Sequence, residues 1–100
     1  MNLDKQLDDV LGILNEVGDW FTKTYKKECT IEFKERPEKQ RIEFFIMIQT
    51  SAVSFKELGF YCKYTDFYDL PKLAQTKQQL RVQLQHAMRK AMPNEASATN

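Results

Sequence analysis

The chain is poor in the residue types from which reactive sites are most often built: one histidine, two cysteines and three glycines in 100 residues. With only Gly12, Gly18 and Gly59, no glycine-rich loop exists to bring backbone amides around a phosphate. Cys29 and Cys62 lie 33 positions apart with no C-x-x-C, and His86 has neither at ligand spacing, so no tetrahedral metal set can be composed from them. On a helix, the residues one turn from His86 are Val82, Gln83, Arg89 and Lys90. None is a carboxylate that would orient it as a base, which leaves a solvated helix histidine. Long apolar runs are missing too. No segment approaches the ~20 residues that span a bilayer, and the opening MNLDKQLDDV is acidic and amphipathic where a targeting segment would be basic and then apolar. These absences favour a cytoplasmic, non-enzymatic protein without cofactor, membrane association or small-molecule substrate. Its reduced thiols are expected to serve as small hydrophobes.

What is present is ordinary globular material, 42% hydrophobic and 29% charged. The length suits one domain. Area scaling predicts about 5,900 Å² exposed of about 17,000 Å² extended, enough burial for one core without staples. The domain is expected over residues 1–92, and PNEASATN, 93–100, as a disordered polar tail. A net charge of +1 gives no bulk attraction to nucleic acid, but the charge is unevenly spread. Residues 1–21 set five acids against Lys5, whereas 71–92 carry Lys72, Lys77, Arg81, Arg89 and Lys90 with no acid. That asymmetry opposes an acidic first helix to a basic last one.

Leu3, Leu7, Val10, Leu11, Leu14, Val17, Phe21 and Tyr25 follow helical spacing and predict a helix over 3–25, about 34 Å long. Gly12 and Gly18 within it mark either close packing or a kink. CTIEFKE, 29–35, alternates with period 2. RPEKQ then turns the chain into RIEFFIMIQT, a hairpin pattern. Apolar faces match only when paired residue numbers have an odd sum. A sum of 75 sets Glu32 against Glu43 and Lys34 against Arg41, and 73 puts Pro37 at a disfavoured turn position. A sum of 77 pairs Phe33 with Phe44 and Lys34 with Glu43, and lets Pro37 open the turn. That register is expected, with Arg36 facing Arg41 in solvent. LGFYCKYT, 58–65, reads as a third strand, broken or bulged at Gly59, and 52–56 as a connection or a short fourth strand. Asp69 caps a last helix over 71–92, with Leu73, Leu80, Leu84, Ala87, Met88 and Ala91 as its apolar stripe. The fold class is therefore two-layer α+β in α-β-β-β-α order: an antiparallel meander covered on one face by two long helices.

Two surfaces remain for function. Acid pairs do not add a third: Asp8 and Asp9 suit a helix N-terminus, and Asp66 and Asp69 suit turn and cap roles. On the second strand, Ile42, Phe44, Ile46 and Ile48 face the helices, so Phe45 and Met47 point away, toward Glu32 and Thr30. Tyr61 joins them if the third strand pairs with the second, and Phe67 and Tyr68 follow in sequence. Aromatic and Met side chains at half-exposed positions are typical of protein interfaces. Phe45, Met47, Tyr61 and Tyr68 are thus candidate protein-binding residues, for a homodimer or another protein. The alternative is nucleic acid, or an acidic partner, along Lys72, Lys77, Arg81, Arg89 and Lys90 with the glutamines between them. The helix–three strands–helix order resembles the double-stranded-RNA-binding domain, which implies a reader of A-form RNA by shape. That family's second helix opens with a lysine cluster. Here DLPKLAQTKQQ separates Lys72 from Lys77, and ERPEKQR stands where the family carries its glycine–proline and histidine loop.

Overall fold

The computed structural model describes residues 4–92. Helix α1, Asp4–Tyr25, leads into β1, Cys29–Arg36, then a single 3-10 turn, Pro37–Lys39, then β2, Arg41–Gln49, and β3, Phe55–Lys63. A short helix α2, Tyr64–Tyr68, and the long α3, Leu70–Ala91, complete the chain. Leu3 and the tail 93–100 lie outside the described residues.

The strands form one antiparallel sheet in the order β1-β2-β3. β1 and β2 pair Phe33 with Phe44, Ile31 with Ile46 and Lys34 with Glu43, the register that avoids the two like-charge clashes. The turn closes at Gln40, left-handed at φ 52°, whose amide donates to the Pro37 carbonyl at 3.0 Å. The third strand differs from expectation. It runs unbroken from Phe55 through Gly59, with Phe45 opposite Gly59 and Ile46 opposite Leu58. Among the described residues there is no bulge and no fourth strand. Thr50–Ser54 is a tight turn in which the Thr50 amide donates to the Ser54 carbonyl. The strand stops at Lys63 because Asp66 folds back, its carboxylate accepting from the Lys63 amide at 2.9 Å, and starts α2 one residue later.

Period 2 in β2 and period 3.6 in the helices meet in one core. Ile42, Phe44, Ile46 and Ile48 are fully buried against Val10, Leu14, Val17 and Phe21 of α1 and Leu73, Leu80, Leu84 and Met88 of α3, with Cys62 and Phe67 filling one end. Phe44 stacks on Phe60 with ring centroids 5.0 Å apart. Phe67 therefore belongs to the core, not to the outer patch it follows in sequence. The two long helices run parallel, side by side. Asp9 meets Lys77, Glu16 meets Arg81, and Arg89 lies over Trp20. Asp69 caps α3 by accepting from the Lys72 amide at 3.2 Å, with Pro71 in the first turn.

Gly18 answers the question its spacing raised. A Cβ there would lie 3.3 Å from the Cys29 sulfur and 3.4 Å from Ile31 Cδ1, so the missing side chain lets α1 settle onto β1. Gly12 has nothing within 4 Å of such a Cβ and carries only its helix-propensity cost. Gly12→Ala is expected to stabilise the chain by about 0.5–1 kcal/mol in urea unfolding. Gly18→Ala should gain clearly less or lose stability, because Cys29 and Ile31 must move.

Candidate interaction surface

The face of the sheet opposite the helices is a grid set by the two registers. β1 contributes Arg36, Lys34, Glu32 and Thr30, aligned with Arg41, Glu43, Phe45 and Met47 of β2. β3 contributes Lys63, Tyr61, Gly59 and Glu57 in the same rows, with Phe55 beside Gln49 beyond them. Among the described residues no element lies over this face. Met47 is 37% exposed and Tyr61 50%.

The expected residues are brought together unequally. Phe45 is only half-exposed, because its ring reaches across the side-chain gap at Gly59; a Cβ built there would sit 4.0 Å from Phe45 Cδ1. An aromatic ring over a cross-strand glycine covers backbone that would otherwise be bare. Phe45 and Met47, with Thr30, Glu32 and Glu57, line a shallow depression of about 210 Å³. Tyr61 sits one row away, its ring under the Arg41 guanidinium at 4.4 Å, a cation–π contact. Tyr68 stands apart from these three. It lies in α2, which packs against α3, and is exposed there.

Phe55, 55% exposed at the far end of the face, was not identified from sequence. Extending the alternation of 61, 59 and 57 by one step would have found it. The same holds for the arginine cluster. Arg36 and Arg41 do not rely on solvent to face each other, since Glu43 bridges them. Its Oε1 accepts from Arg36 Nε at 3.1 Å, and its Oε2 from Arg41 Nε at 2.9 Å and Nη2 at 2.6 Å. The face is electrically divided as a result. Arg36, Arg41, Lys63 and Lys34 surround one acid at one end, while Glu32 and Glu57 flank Met47 toward the other.

On the helix layer, most of the basic candidates are engaged within the chain. Lys72 pairs with Asp66 at 2.8 Å, Lys77 with Asp9 at 3.7 Å and Arg81 with Glu16 at 2.8 Å, and Arg89 rests 5.1 Å above Trp20. Burial works to raise the Asp66 carboxyl, but the Lys72 ammonium and the Lys63 amide together hold it below its usual range. A depression of about 370 Å³ on this layer is lined, among the described residues, by Gln75, Gln78, Gln79, Val82 and Gln83 of α3 alone. Burial pushes the Cys62 thiol up to about 11. Cys29 is raised in the same direction by burial, with Asp19 adding to it, so neither is a ready thiolate near neutral pH. His86 is exposed on α3.

Comparison with protein families, with curated proteins and with solved structures finds no match for this chain.

Hydrogen bonds from Arg41, and next from Arg36, hold the Glu43 carboxyl below its ordinary value. A carboxyl lowered by folding contributes stability above its unfolded pKa of about 4.3 and loses it as pH falls through the lower folded value. In urea unfolding followed from pH ~7 to ~2, the stability of the native chain over Glu43→Gln should be greatest at neutral pH and shrink below pH ~4. A difference independent of pH would mean that the bridge does not hold in solution.

Proposed function

We propose that this chain is a non-enzymatic interaction module that binds protein through the outer face of its sheet, with Phe45, Met47 and Tyr61 as the contact residues. The observation that carries the reading is Met47 and Tyr61, both half-exposed, on a three-stranded face over which no described element lies. A small domain rarely leaves a contiguous apolar patch against water without a use for it. The flanking charges give such a patch the polar rim of a protein interface. Regulation or inhibition of the bound protein fits a module of this size.

The nucleic-acid alternative draws less support. Phosphate binding needs cations free to replace counterions, and four of its five bases already have an acid or a ring as partner.

Exposed side chains at Met47 and Tyr61 contribute little to the fold, so the double substitution Met47→Ala with Tyr61→Ala should lower stability by no more than about 1 kcal/mol. It should nonetheless abolish both self-association in sedimentation and retention of host proteins on the immobilised chain. A variant that stays folded and binds as the native chain does would refute the outer face as the binding surface. A variant that unfolds would show these residues to be core.

A further inference from the structure

We infer that the partner of the outer face is a second copy of this chain, packed sheet to sheet about a two-fold axis that crosses the strands. The inference rests on the proposed use of that face and adds the occupant and its register. It follows from the charge rows, because only some two-fold arrangements put those rows in complementary contact.

An axis running along the strands lays each row on its own copy. Arg36, Arg41 and Lys63 would then face another Arg36, Arg41 and Lys63, an arrangement that like charge opposes. An axis across the strands exchanges the two ends of the face. Centred on the row of Phe45, it still sets Glu32 against Glu32. Centred half a step away, between the rows of Glu43 and Phe45, it removes every like-charge meeting. Lys34 then faces Glu32 of the other copy, Lys63 faces Glu57, and Arg41 lies over Met47. Tyr61 faces Gly59 and the Phe45 ring that covers it, so ring meets ring across the axis. Glu43 meets Phe45, but its carboxylate is already satisfied by Arg36 and Arg41 in its own chain. Each contact occurs twice, and the apolar residues Phe45, Met47 and Tyr61 collect around the axis.

The size of the face sets the affinity. Strands of nine residues, β2 and β3, make a surface about 30 Å long and about 14 Å wide over three strands. Two such surfaces pressed together in aligned packing bury about 1,000 Å² in total, the low end of specific interfaces. The dimer is accordingly reversible and concentration-dependent, not obligate.

Charge exchange tests the register. Sedimentation equilibrium over a wide range of concentrations should show native chain moving from monomer to dimer. Lys34→Glu or Glu32→Lys alone sets like charges together twice across the axis and should weaken association about tenfold or more. The double variant, Lys34→Glu with Glu32→Lys, restores the facing pair in reversed sense and should recover association to within about threefold of native. Circular dichroism on each variant confirms the fold. If the double variant is as weak as the singles combined, the register is wrong. If the native chain stays monomeric at every concentration, the second copy is not the occupant. Should Met47→Ala with Tyr61→Ala still abolish retention of a host protein in that case, the outer face survives as a binding surface for another chain. Should it change nothing, both readings fall together.

Discussion

The structure depends on β2 being the middle strand of three. A central strand must satisfy backbone partners on both sides, and Arg41–Gln49 does so through two registers fixed over its whole length. Burial on one face of this strand, Ile42, Phe44, Ile46 and Ile48, supplies the floor on which α1 and α3 pack. Because side chains alternate strictly, the same registers fix what stands on the other face. The helix layer consumes one half of the strand, and the outer surface is the necessary remainder. Phe45 and Met47 are there because Phe44 and Ile46 are in the core.

Charge is divided in a similar way between the two layers. The acidic α1 and the basic α3 lie parallel and neutralise each other through Asp9–Lys77 and Glu16–Arg81. These are exposed or half-exposed pairs, worth little each in stability. Their effect is on the field: two helices of opposite charge present a mixed surface, not a basic one. On the sheet, by contrast, the charges are sorted along the strands, positive near the Pro37 turn and negative toward Met47. A sorted surface favours some partners and orientations over others, which is why the sheet carries the functional reading.

Much of this was legible in the sequence. The first hairpin register followed from rejecting Glu32 against Glu43 and from the demand Pro37 makes on a turn. The cap of the last helix followed from Asp69 ahead of Pro71. The features that escaped depend on contacts distant in sequence or on competing local patterns. Tyr64 continues the alternation of Leu58, Phe60 and Cys62 as a strand would, and only the return of Asp66 to the Lys63 amide ends the strand and starts α2. Gly59 suggested a bulge because a bare position in a strand often marks one, yet the Phe45 ring covers it from the neighbouring strand. The pairing of α3 bases with α1 acids depends on how the two helices are rotated against each other, which helical spacing alone does not state. Glu43 between two arginines was within reach once the register was known, since all three point to the same side.

The central claim is that neighbouring residues of one strand, Ile46 and Met47, live in opposite surroundings, dry core and open surface. Solvent paramagnetic relaxation measured by NMR on side-chain methyl groups of dilute protein tests it directly. The Met47 methyl should relax strongly with a soluble paramagnetic agent, while the methyls of Ile46 and Ile48 stay protected. Equal protection of Met47 and Ile46 in dilute monomer would contradict the account, because the outer face would then be closed by the chain itself.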